Sequence, residues 1–123
     1  MNWVWKNFTP KEMQCQHCGG DGIKPELMNA LQKLREVYGK PMRVTSGYRC
    51  PQHPIEAKKA SPGAHAFGLA VDIGVDGADA YKVLQLAFEL GFTGIGVQQK
   101  GTGRFIHLDV MEKDLPRPTV WSY

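Results

Sequence analysis

The sequence predicts an α+β fold, a small, mostly antiparallel sheet flanked by helices, on three observations. Two segments carry apolar residues at helical spacing. Two others alternate around a glycine-rich turn. These helices and strands follow one another without the strand–helix–strand regularity of a parallel sheet. At 123 residues, 42% apolar and 22% charged, the chain has the size and composition of one globular domain, residues 1–123.

Each element has a local reason. "FTPKEM" starts a short helix, with Thr9 as N-cap, Pro10 in the first turn and Glu12 closing a capping box. The strongest helix runs from Pro25 to Tyr38, placing Leu27, Leu31, Leu34 and Tyr38 on one face, and Gly39 and Pro41 stop it. "MRVTS", residues 42–46, alternates as a short strand. Residues 50–64, rich in Pro, Gly, Lys and His, read as an exposed loop, and a strand follows at 69–75. A second helix from Ala78 to Leu90 is expected to turn Tyr81, Leu84 and Phe88 inward, with Gly91 as its stop. "GIGVQQ" and "RFIHLDV" form an antiparallel hairpin through "KGTG". The tail "PRPTVWSY" is expected to wrap the surface and dock Trp121.

The net charge of +3 mildly favours an anionic partner such as a bacterial wall. No basic cluster is interleaved with aromatics, so no nucleic acid is expected as partner. No apolar run approaches the roughly 20 residues of a membrane span, and "MNWVWKNFTPKEM" lacks the features of a signal peptide. Synthesis in the cytoplasm, no membrane association and a monomer are the expectations. Cys15 and Cys18 form C-x-x-C, and Cys50 opens a C-x-x-H that ends at His53. That spacing suits a structural zinc site. A disulfide from Cys50 to one partner, or three buried thiols, suits it too. Cys50 ahead of a helical turn could alternatively be the nucleophile of a cysteine hydrolase.

The chemistry concentrates in the strands. Residues i and i+2 share a strand face, so His107 and Asp109 lie together with Phe105 while Ile106, Leu108 and Val110 turn to the core. Asp72 likewise opposes Val71 and Ile73, and His65 ends the loop that leads to it. A carboxylate in so apolar a strand is costly unless compensated. Two histidines and one carboxylate suit a catalytic zinc with an open fourth position. The same residues also allow histidines that cap loops and an Asp72 paired with Arg or Lys. The H-x6-D spacing alone does not decide between them.

"TSGYRCPQHP", "SPGAHAFGLAVDI", "GFTGIGV" and "RFIHLDV" occur in this order, and together they resemble the M15 zinc peptidases, with the D-Ala-D-Ala carboxypeptidase and Hedgehog-like fold. The likeness is greatest to the short single-domain form of phages and bacteria and runs from Phe8 to the C-terminus. The resemblance implies that His65, Asp72 and His107 bind Zn²⁺. It implies that Arg49 stabilises charge on a substrate carbonyl or carboxylate, and that the substrate is a peptidoglycan peptide. It further implies a phage lysis or tail-associated enzyme, or a non-catalytic zinc-containing binding domain of the same fold. Gly68 and Ala70 fit as small residues that let backbone approach the site.

Two positions depart from the family pattern. Gly63 stands where a serine usually precedes the first histidine ligand, with Ser61 two residues further back. Arg104 and Phe105 stand where a catalytic acid or base usually precedes the last one. Asp109 is the candidate substitute, either as the general base or as a group that holds a ligand or Arg49 in place.

Overall fold

The structure, a computed structural model, describes residues 2–123. In chain order the elements are α1 (Pro10–Met13), α2 (Pro25–Tyr38), β1 (Arg43–Ser46), α3 (Pro54–Ala57), β2 (Ala70–Gly74), α4 (Gly77–Glu89), β3 (Gly94–Gln98), β4 (Phe105–Asp109) and β5 (Thr119–Ser122). The strands form one sheet in the order β1-β2-β4-β3-β5. Every pairing is antiparallel except that of β3 with β5. The α+β class follows.

The helix boundaries have the causes the sequence supplies. At α1 the Thr9 hydroxyl accepts from the Glu12 amide, and the Glu12 carboxylate accepts from the Thr9 amide at 2.7 Å. Pro25 opens α2 and Gly39 closes it at φ 79°, the left-handed conformation that glycine adopts without a Cβ penalty. Leu27, Leu31 and Leu34 are fully buried against Val71, Ile73, Ile106 and Leu108 of the sheet. Each such side chain contributes about 1.5–3 kcal/mol on leaving water.

Three expectations need correction. Tyr81 and Phe88 are 76% and 60% exposed, and α4 instead buries Ala80, Val83, Leu86 and Ala87. The two alanines let α4 approach α2 and the sheet closely, a fit that the bulky aromatic face cannot offer. Residues 50–64 are not simply an exposed loop, since they contain α3 and bury both Cys50 and Glu56. The tail does more than wrap the surface, because β5 adds to the sheet edge with Gly96 opposite Trp121 and Gly94 opposite Thr119.

The register sorts the two faces of the sheet. Val71, Ile73, Ile95, Ile106 and Leu108 face the helices. On the opposite face, Asp72 pairs with His107, His107 with Gly96, and Asp109 with Gly94. Directly paired residues lie on the same face. The two glycines therefore make a trench beneath the polar row. A methyl group on Gly94 would overlap the Asp109 carboxylate, and one on Gly96 would come within 2.6 Å of the Trp121 indole nitrogen.

Candidate metal centre

His65, Asp72 and His107 are all buried and converge on one point, their ligand atoms within 4.8 Å of one another. What each ring presents there is fixed from behind. His65 Nδ1 lies 2.8 Å from the Gly47 carbonyl. A carbonyl only accepts, so Nδ1 carries the proton and Nε2 keeps its lone pair. His107 Nε2 lies 2.7 Å from an Asp109 carboxylate oxygen, which leaves Nδ1 as the bare nitrogen. These two bare nitrogens are 3.2 Å apart, with Asp72 Oδ1 at 3.1 Å from one and 3.3 Å from the other.

Three lone pairs facing each other at such distances repel unless a cation lies among them. The proton equilibria divide the two rings, and only His107 and Asp72 favour positive charge at this point. Burial, helped by Arg49 and His107, pushes the His65 pKa down. Burial opposes charge on His107 as well, but Asp109 and Asp72 outweigh it and raise that pKa. Burial disfavours the Asp72 carboxylate, yet His107 and His65 hold it well below the usual range. The donor set, two neutral imidazoles and a carboxylate, is that of a divalent metal ion.

The residues behind the donors are equally specific. Arg49 donates from Nη2 to the outer Asp72 oxygen at 3.3 Å and from Nε to the Ser46 hydroxyl at 3.1 Å. Its other nitrogen faces Glu56 at 3.6 Å, and Glu56 in turn accepts from Lys59 at 2.8 Å and from the Gly63 amide at 3.1 Å. Burial would raise the Glu56 pKa, but these donors, Lys59 foremost, keep it low. Gly63 thus serves the Glu56 loop, and the His65 ring is held by the Gly47 carbonyl in the absence of a serine at 63. At Gly68, expected as a close backbone approach beside the site, the amide donates to the His65 carbonyl at 3.2 Å and the carbonyl accepts from the Lys24 amide at 2.9 Å, while a Cβ would collide with the Gly22 carbonyl.

Asp109 is fully buried and saturated. Besides His107, it accepts from Arg117 through Nε at 2.9 Å and Nη2 at 2.6 Å, and from the Met111 amide at 3.3 Å. Burial alone would raise its pKa, but His107 and Arg117 lower it to about 2. Arg117 also lies over the Trp121 ring at 5.2 Å, and that ring packs 4.9 Å from His107. Sequence reasoning missed Arg117 because it sits in a proline-flanked tail with no periodicity. Glycines alternating in "GIG" were the local signal of close packing at this face.

The donors open into a cleft of about 810 Å³ whose walls carry Arg43, Arg49, Lys59, Arg104 and Arg117. Asp72 is the one side-chain carboxylate among the described lining residues. Since Glu56 and Asp109 lie behind Lys59, Arg49 and Arg117, the cationic excess of the cleft rests mainly on Arg43 and Arg104. Tyr123 lines it too, its ring 5.1 Å from Phe105.

A second cluster gathers Cys15, Cys18 and Cys50, with sulfurs within 4.8 Å of one another. His53, expected as their fourth member, is not among them, and its Nδ1 accepts from the Ile55 amide at the start of α3. Burial pushes the Cys15 thiol up, but the amides of Cys50, Cys18 and His17 outweigh it and bring the pKa to about 7. Burial and the neighbouring thiols raise that of Cys50, the reverse of an activated nucleophile.

Among the described residues no helix is long and apolar enough to cross a membrane. No curated protein matches the chain. The family model described as Peptidase M15 matches residues 6–109, a stretch that contains every member of both clusters. With most of its length and its whole donor set inside that match, the chain belongs to the M15 peptidase family.

Proposed function

We propose that the protein is a zinc-dependent peptidase that hydrolyses an amide bond in the stem peptides or cross-links of peptidoglycan. One observation carries this reading. Two histidines, each with its proton fixed on the far nitrogen, turn bare nitrogens toward a buried carboxylate at the floor of a cationic cleft. A tetrahedral ion with bonds of about 2.0–2.1 Å needs donors about 3.3 Å apart, and the separations are 3.1, 3.2 and 3.3 Å. Bound there, zinc would supply Lewis-acid activation of water and of a scissile carbonyl.

The chain's own residues supply the rest. The Gly47 carbonyl and Asp109 hold the two imidazoles in the tautomers that leave their inner nitrogens free. Asp109 is read as a positioning residue, since its oxygens are occupied by His107, Arg117 and the Met111 amide. Arg49 steadies the outer Asp72 oxygen, and its rigid donor fork at the cleft wall is placed to stabilise negative charge on the substrate. Lys59, Arg43 and Arg104 suit a peptide rich in free carboxylates, as peptidoglycan stems are. Trp121 and the tail shield the His107 side from water.

A second reading, a zinc-containing binding domain of the same fold, is favoured by the saturation of Asp109. Mass spectrometry of purified peptidoglycan incubated with chelator-stripped and with zinc-restored protein separates the two. New amine and carboxyl ends that need zinc support the peptidase. Muropeptide binding by zinc-loaded protein without cleavage overturns it in favour of the binding domain.

A further inference from the structure

We infer that Cys15, Cys18 and Cys50 form a second metal centre, a structural thiolate site for a soft divalent ion such as Zn²⁺. It is separate from the His65 cluster and does not depend on the peptidase reading.

The two chain segments are shaped to present sulfur to a cation. In "CQHCGG" the chain turns back on itself: the Gly19 amide donates to the Cys15 carbonyl at 2.7 Å, and the Cys15 amide donates to the Gly20 carbonyl at 2.9 Å. Gly19 takes φ 74°, which allows this tight turn. The turn aims amides at sulfur, with Gly20 N–H donating to Cys18 Sγ at 3.3 Å. From the second segment, Cys50 N–H donates to Cys15 Sγ at 3.3 Å. Such donors stabilise thiolate charge and orient the sulfurs, as the groups behind metal ligands commonly do. Gly22 is required by the same packing, since a methyl there would meet the Tyr48 ring at 2.5 Å.

All three cysteines are free thiols, two of them buried. An odd trio cannot be satisfied by disulfides, because any one bond leaves a thiol beside it. A tetrahedral ion with Zn–S bonds of about 2.3 Å accepts all three at once. Each thiol releases its proton to solvent on binding. Cys18 is exposed, so the fourth corner faces water.

The position gives the centre a task. Cys50 directly follows Arg49, whose amide donates to the His65 carbonyl at 3.2 Å, while the Tyr48 amide donates to the Met13 carbonyl at 2.9 Å. Segment 47–50 is thus clamped between the N-terminal turn and the His65 loop. A thiolate centre would fasten that clamp, replacing a disulfide with a bond set that holds three points.

The test uses the whole chain, stripped with chelator and reloaded with Co²⁺, whose tetrahedral thiolate complexes absorb strongly in the near ultraviolet through sulfur-to-metal charge transfer. The band should appear in the unmodified protein, persist in His65→Ala and be lost in Cys18→Ser, whose exposed position makes it the least disruptive of the three. Elemental analysis should find one zinc fewer per chain in each variant than in the unmodified protein. On the unmodified protein, zinc should block alkylation of all three thiols and chelator should restore it. A cobalt form without the band, or alkylation indifferent to zinc, overturns the inference. A band lost in His65→Ala but kept in Cys18→Ser overturns it as well. Absence of zinc-dependent cleavage by the unmodified protein, with the band intact, would count against the peptidase reading alone.

Discussion

Replacing Asp109 with asparagine separates the two chemical roles open to this residue. In the protein, Asp109 Oδ2 accepts from His107 Nε2 at 2.7 Å and from Arg117 Nη2 at 2.6 Å, while Oδ1 accepts from Arg117 Nε and the Met111 amide. An asparagine has one acceptor oxygen where these four donors need two. If its oxygen serves His107, its amino group confronts the Arg117 Nε and the Met111 amide. If its oxygen serves these two, its amino group faces His107 Nε2. The ring is then driven to the other tautomer, which puts a proton on Nδ1 and removes a metal donor. Either way the support behind His107 weakens. Loss of such support costs about 10–100-fold in metal affinity, or about 1.4–2.7 kcal/mol. Zinc affinity measured by competition with a chromogenic chelator should therefore fall by about that factor in Asp109→Asn, and turnover at saturating zinc should recover in large part. Unchanged zinc affinity together with lost turnover would refute the positioning argument and make Asp109 the proton carrier.

Arg117→Met leaves the Asp109 charge buried without its main cation and should destabilise the fold by about 3–5 kcal/mol, read as a shift in urea midpoint at constant m-value. A loss below about 1 kcal/mol would show that water or His107 replaces the guanidinium. His107 and Arg117 hold the Asp109 carboxyl below the usual carboxylate range, at about 2. Its contribution to stability is accordingly complete above about pH 4. It disappears as pH falls through the folded value, so chelator-treated protein should lose stability across that window and Asp109→Asn should flatten this limb. Gly94→Ala drives a methyl into the Asp109 carboxylate and should cost about 1–3 kcal/mol with weakened metal binding, whereas the same change at exposed Gly101 should leave metal binding intact. Lys59→Ala should raise KM for carboxylate-rich peptides more than it lowers kcat, because Lys59 lines the cleft without touching a ligand atom.

Strand periodicity carried much of the arrangement. Alternation in "RFIHLDV" put His107 and Asp109 on one face, and the apolar context of Asp72 signalled a compensated charge; in the structure the two strands lie side by side with Asp72 opposite His107. Helix α2 was legible to its ends because proline, leucine spacing and glycine agree. The inward face of α4 was misread because bulk stood in for fit. Ala80, Val83 and Ala87 have the same helical spacing as Tyr81, Leu84 and Phe88, and only tertiary closeness chooses between them. The pairing of Arg117 with Asp109 depends on where a proline-rich tail is carried by the parallel addition of β5, a long-range outcome with no local signature. The Gly47 carbonyl behind His65 was invisible for a related reason, since any residue offers a carbonyl and only the fold aims it.

The edge strand β5 gives the molecule an order in time. Arg117 and Trp121 complete the surroundings of His107 from the far end of the described chain, while Gly47 supports His65 from its first half. Gly47 precedes all three donors in the chain, whereas Arg117 and Trp121 follow His107, so the support of His65 is synthesised first and that of His107 last. Until the tail has threaded alongside β3, Asp109 is an uncompensated charge next to a half-formed ligand set. The His65, Asp72 and His107 cluster accordingly depends on the docking of β5, and a chain cut short before Arg117 should retain its helices while binding metal poorly.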